Sequence, residues 1–108
     1  MQIYNLMKMG LDATELRGKA IANNIANINT PNYKRKYVTF EETLTGKLDK
    51  DAKIELKTDD FSSMREDGNN IDLENEKVNQ AATTLEYNAL VSLTNTKIAM
   101  TKSVISGR

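Results

Sequence analysis

Residues 71–106 contain neither Gly nor Pro, and apolar side chains recur through them at helical spacing. One row runs Tyr87, Val91, Thr94, Ile98, Thr101 and Ile105. A second runs Leu90, Leu93, Met100 and Val104, interrupted by Lys97, and Ala82, Leu85 and Ala89 begin a third. Steps of three and four put each row on one side of an α-helix. Asp72 is placed to be the N-cap, and Glu74 and Glu76 fall in the first turn, where negative charge favours the helix dipole. A helix over 73–106 is about 51 Å long, more than the core of a 12.1 kDa globule can cover. One antiparallel partner covers a stripe roughly 100° wide. The remaining rows therefore predict further helices packed from other chains.

A second helix is predicted over 3–28. Met9, Ala13, Leu16 and Ala20 step by helical intervals, and the row continues through Asn23 and Asn27; Ile21, Ile25 and Ile28 form another. Gly10 and Gly18 each weaken it by about 1 kcal/mol relative to Ala, so packing must support it. Pro31 disfavours helical geometry at Thr30 and closes the helix. The charge is segmented. Residues 41–77 carry twelve Asp/Glu against six Lys/Arg, whereas residues 1–40 carry two against six and residues 78–108 one against three. In the acidic middle, Thr39-Phe-Glu-Glu42 fits a capping box, with Phe40, Leu44 and Leu48 spaced for a short helix. Ala52 to Lys57 alternates apolar and polar residues, as a strand does, and Asp67-Gly68-Asn69-Asn70 reads as a turn. The expected organisation is an N-terminal helix and Asn/Thr-Pro turn over 1–31, a middle segment of loop, short helix and strand over 32–71, and a C-terminal helix over 72–108. The expected fold class is mainly all-α. Two long helices pack as a coiled-coil-like hairpin forming one domain, with a small irregular or β middle segment.

The absences narrow the chemistry. There is no Cys and no His, so thiolate zinc sites, cysteine nucleophiles and the commonest general base near neutral pH are excluded. Asp49, Asp51 and Asp60 fall at positions 1, 3 and 12 of a calcium loop, but Lys53 brings a cation to position 5 and Ile54 replaces the required Gly. Glu41, Glu42, Asp59 and Asp60 could supply a carboxylate pair, yet a segment this short builds no cleft that buries one of them. Tyr33-Lys-Arg-Lys36 offers a nucleic-acid contact, but the formal net charge is zero and Pro31 opposes a helix–turn–helix. No catalytic residue, metal or cofactor is expected, nor a nucleic acid or small-molecule substrate. No run approaches the ~20 apolar residues of a membrane span. Met1 to Lys8 lacks the apolar run of a cleaved signal, so none is expected.

The segment Ala22-Asn-Asn-Ile-Ala-Asn-Ile-Asn-Thr-Pro-Asn-Tyr-Lys34 resembles the N-terminal signature of bacterial flagellar rod, hook and hook-associated proteins, A-N-N-x-A-N-x-x-T-x-G-Y/F-K. Asn23, Asn24, Ala26, Asn27, Thr30, Tyr33 and Lys34 match in register. Gly68-Asn-Asn-Ile-Asp-Leu-Glu-Asn-Glu76, followed by Leu85-Glu-Tyr-Asn-Ala-Leu90, resembles the start of the C-terminal helix in the short rod proteins. The resemblance covers roughly 1–40 and 66–106, and with the chain length it points to the proximal rod. Where the family has Gly before the aromatic, this chain has Asn32, the side chain that best tolerates left-handed backbone after Gly, so the turn is expected to be kept.

The resemblance implies a structural, non-enzymatic subunit of the flagellar basal body. It would pass unfolded through the flagellar export apparatus and pack outside the cytoplasmic membrane with itself, other rod proteins and the rod–membrane-ring adaptor. The residues it implies for subunit packing are Leu16, Asn23, Asn24, Asn27, Thr30, Pro31, Tyr33, Leu85, Tyr87, Leu90, Leu93 and Ile98. Read without the family, Asn23, Asn24 and Asn27 lie close together on the helix and must be hydrogen-bonded if buried, which makes them register pins. The alternative for them is a simple weakening of the helix end. Two other functions share the composition. A small helical adaptor of a secretion apparatus would not need the Thr-Pro-x-Tyr turn, and a nucleic-acid-binding hairpin would bind through Lys34, Arg35 and Lys36 in a salt-dependent way.

Overall fold

A computed structural model describes residues 2–40, 53–60 and 65–107. The elements are α1 (Gln2–Ala26), β1 (Lys36–Thr39), β2 (Glu55–Thr58) and α2 (Leu73–Ser106). The two helices run antiparallel along a molecule of 64 × 26 × 14 Å. Tyr4 at the start of α1 hydrogen-bonds Thr101 late in α2 at 2.6 Å, and Asn24 near the end of α1 reaches Glu76 near the start of α2 at 3.3 Å. The mainly helical hairpin with a small β element is thus the fold the sequence predicts.

The ends of α2 fall where the spacing puts them. The Asp72 side chain accepts from the backbone N–H of Glu74 and Asn75, and Gly107 closes the helix at φ 72°. α1 stops two residues earlier than predicted, and Asn27 to Asn32 form tight turns instead. The strand predicted over 52–57 is β2, shifted towards its C-terminal side. β1 is an addition: Lys36-Tyr-Val-Thr39 pairs antiparallel with β2, Lys36 opposite Thr58 and Thr39 opposite Glu55. Tyr37 and Val38 carry the β-propensity that makes this segment extended. Thr39 ends β1, and the short helix predicted after it falls outside the described residues.

The apolar core is small. Ala13 and Phe40 are buried together, with Leu6, Met9 and Ile54 packed on them. Among the described residues, Ala20, Ile21, Val38 and Ile71 are the other buried apolar side chains. Gly10 faces Leu90 of α2: a Cβ there would lie 3.4 Å from Leu90 Cδ1, an ordinary van der Waals contact.

Candidate functional site: a polar clasp and an uncovered helix face

The two signature segments of the sequence meet in space, and what joins them is polar. Asn24, on the inner side of α1, is fully buried. Its amide donates to the Lys36 carbonyl and accepts from the Lys36 N–H, both at 2.8 Å, and donates to Glu76 Oε2 at 3.3 Å. Glu76 is also fully buried and accepts from Arg35 Nε at 3.0 Å. Arg35 reaches Asp59 Oδ2 with its other arm at 3.5 Å and lies 5.6 Å from the centre of the Tyr37 ring. One carboxylate at the start of α2 is therefore held by residues from α1 and from the β1 arm.

A second knot forms where Asp67 to Asn70 lies against the Thr-Pro turn. Asn69 is fully buried, and its Nδ2 donates to the carbonyls of Asn27, Ile28 and Thr30 at 2.9, 3.2 and 2.9 Å. These carbonyls follow the end of α1, where the helix leaves acceptors without intrahelical partners. Asn69 Oδ1 accepts from the Ile71 N–H at 2.8 Å. Asn70 Oδ1 accepts from the Arg35 N–H at 2.7 Å and its Nδ2 donates to the Asp59 carbonyl at 2.6 Å. Asn32 has φ 64°, the left-handed geometry expected of it, and its N–H donates to the Asp67 carbonyl at 2.7 Å. The Lys34 ammonium donates to the Gly68 carbonyl.

Gly68 is required here twice over. Its φ is 82°, and a Cβ would stand 2.3 Å from Asn32 Oδ1 and 3.3 Å from Asn32 Cα. Gly68→Ala is expected to cost about 2 kcal/mol, read from the urea midpoint, with Gly107→Ala, at φ 72° but in open space, costing less.

The face of α2 turned to α1 is largely polar. Its buried or half-buried residues are Leu73, Glu76, Asn79, Thr83, Glu86, Leu90, Val91, Thr94, Lys97 and Thr101. About a quarter-turn round the helix, Val78, Ala82, Leu85, Ala89 and Leu93, then Met100 and Val104 beyond Thr96, form an exposed apolar stripe. Leu85 is 72% exposed, Leu93 58% and Val104 82%. The surplus rows of the sequence are thus uncovered in the single chain.

The residues implied for subunit packing do not form one surface. Leu85, Tyr87, Leu93 and Ile98 are exposed on α2, while Leu90 is half-buried towards α1. Leu16 is half-buried on α1. Asn24 belongs to the clasp, and Asn23 is exposed. Asn27 donates to the Asn23 carbonyl at 2.8 Å and accepts from Thr30 Oγ1 at 3.0 Å, closing the helix end locally. Pro31 is exposed; half-buried Tyr33 joins the clasp through its carbonyl, which accepts from the Asn70 N–H at 3.4 Å. The spacing did not single out Arg35, Asn69, Asn70 or Glu76. Glu76 reads in sequence as a dipole charge and Arg35 as part of a basic turn, because their pairing is long-range.

Among the described residues no cluster of His, Cys, Asp or Glu could hold a metal ion, and no helix is long and apolar enough to cross a membrane. Asp59 is committed to Arg35; Glu41, Glu42, Asp49 and Asp51 lie outside the described residues.

The clasp coincides with a family signature. The family model for flagella basal body rod protein matches residues 8–34, from the body of α1 through Lys34. Across nearly the whole chain, the flagellar basal body rod protein FlgB of Bacillus subtilis (strain 168) is 36% identical over 124 aligned residues, covering 97% of this chain and 93% of that protein. The chain belongs to the flagellar basal-body rod protein family. FlgB of Borrelia hermsii is 32% identical and covers 77% of this chain and 80% of its own length. FlgB of Borreliella burgdorferi is 32% identical over 91 residues. A rod protein is a structural subunit of the flagellar basal body, not an enzyme, and assembles with other rod components. Within this rod protein, the signature residues Asn24, Thr30, Asn32, Tyr33 and Lys34 serve the clasp, with Thr30 and Tyr33 contributing through their carbonyls.

Proposed function

We propose that this rod subunit builds the proximal rod and polymerises there through its terminal helices. One observation carries the reading: α2 turns a mostly polar face to its own α1 and leaves an apolar stripe outside. A helix that hides polar residues and exposes Val78, Leu85, Leu93, Met100 and Val104 has its apolar partner in another molecule. The clasp then holds the two helices at a fixed offset, so each subunit presents the same stripe. Leu85, Tyr87, Leu93 and Ile98 pack against neighbouring helices in the assembled rod. The neighbours are further copies, other rod proteins and the rod–membrane-ring adaptor. The subunit reaches its place outside the cytoplasmic membrane through the flagellar export apparatus.

The reading is tested by an in-frame deletion in the host, scored by electron microscopy with a complementation control. Loss of rod, hook and filament with the membrane-embedded base retained is the expected result; intact filaments overturn it. Complementation with Leu93→Glu is expected to abolish swimming. The same substitution changes the urea stability of the isolated subunit by no more than about 0.5 kcal/mol, because Leu93 is an exposed surface residue in the free chain.

A further inference from the structure

The two outer edges of the small sheet are treated differently. The Asp59 N–H donates to the Arg35 carbonyl at 2.9 Å. In an antiparallel ladder this sets the phase: Tyr37 with Lys57 and Thr39 with Glu55 exchange hydrogen bonds, and the residues between them point their backbone groups outwards. On the β1 side α1 meets those groups. The Asn24 amide takes both the N–H and the carbonyl of Lys36, and Arg17 donates to the Val38 carbonyl at 3.3 Å. On the β2 side the outward groups belong to Leu56 and Thr58. Among the described residues nothing hydrogen-bonds to them, and Leu56 is 51% exposed. An open strand edge is a template for another strand.

We propose that β2 pairs antiparallel with β2 of a second copy of this chain, across a two-fold axis at Leu56, to form a four-stranded sheet. Charge favours a second copy as the occupant and this register over its neighbour. Glu55 and Lys57 lie on one face of the strand, 3.6 Å apart. With Leu56 opposite Leu56 of the partner subunit, Glu55 of each copy faces Lys57 of the other, in the close, non-hydrogen-bonded pairs where opposite charges gain most. The neighbouring register, which also keeps the outward groups paired, sets Leu56 opposite Thr58. It brings Lys57 against Lys57 and Glu55 against Asp59, so like charges oppose it. A lone Lys on an edge strand blunts pairing. Glu and Lys at alternate positions make the edge complementary to itself instead.

The contact is two-fold, so it closes at a dimer. It is distinct from the open-ended contacts of a rod and does not rest on the rod reading. Its effect is to cover, in unassembled subunits, an edge that would otherwise template unlimited strand addition. The strands are short, so the dimer is weak and is best read by trapping.

The chain contains no cysteine, so a single introduced thiol is a clean probe in the full-length protein. Leu56→Cys is expected to give a disulfide-linked dimer under mild oxidation, because directly opposed residues stand about 5.5 Å apart at Cα, within disulfide range. Thr58→Cys is expected to remain uncrosslinked, because the two copies of that residue lie four positions apart, about 13 Å. In the Leu56→Cys background, Lys57→Glu is expected to slow crosslinking about tenfold by turning two attractions into repulsions, and adding Glu55→Lys to restore it. No crosslink from Leu56→Cys, equal crosslinking from Thr58→Cys, or no rescue by the charge swap overturns the proposal.

Discussion

Arg35→Ala is expected to lower the unfolding free energy of the isolated subunit by about 3–5 kcal/mol, read as a fall in the urea midpoint. The Glu76 side chain is 1% exposed and the Arg35 side chain 20%. Removing the guanidinium leaves a buried carboxylate with the Asn24 amide as its remaining named donor, and the cost is that of an uncompensated charge rather than of a lost contact. The domain as a whole has a stability of about 5–15 kcal/mol, so the loss is a large part of it. Arg35→Lys keeps the charge but loses the fork that serves Glu76 and Asp59 together, and is expected to fall between wild type and Arg35→Ala. The double variant Arg35→Met/Glu76→Leu removes both charges and is expected to be more stable than Arg35→Ala. A double variant less stable than Arg35→Ala would show that the pair is not the source of the loss.

Asn69→Ala is the second large effect. The side chain serves three carbonyls after α1 and the Ile71 N–H before α2. The carbonyls keep second donors in the Thr30 N–H, the Arg65 guanidinium and the Tyr33 N–H, so truncation leaves the Ile71 N–H unmet and removes three further bonds. One unmet buried group costs about 1–3 kcal/mol and the lost bonds add to it, so a total of about 3 kcal/mol is expected. Asn69→Asp separates the two roles. It retains the acceptor for Ile71 but sets a carboxylate against three carbonyls, and is expected to destabilise at least as much as Ala. Hydrogen exchange locates the effect: amides of Asn27 to Tyr33 lose protection first. Protection lost evenly along α2 instead would show that Asn69 does not cap the α1 exit.

The helices were legible in the sequence because their signals are local. The Asp72 cap, the absence of Gly and Pro and a 3.6-residue period fix α2 within a few covalent bonds of each residue concerned. The same holds for the Pro31 exit and for Asn32, whose left-handed backbone follows from its own side chain. The signature motif is local as well, and it named the family. β1 was less legible: four residues with a polar start do not announce a strand, and this one is extended because β2 lies on one edge and the Asn24 amide on the other.

What the sequence by itself determined is the pair of helices, the Asp72 cap, the surplus of apolar rows on α2 and the family. What only the tertiary structure decided is which row each helix turns inwards. Periodicity ranks faces by hydrophobicity, and on that ranking α2 should bury Leu85, Leu93 or Ile98; the fold buries Glu76 and Thr83 instead. The reason is that Arg35 and Asn24 lie 41 and 52 residues away in the chain and satisfy Glu76 only once α1 and β1 are in place. A buried charge is tolerated by its partners, and partners at that separation are a property of the fold, not of any window of sequence.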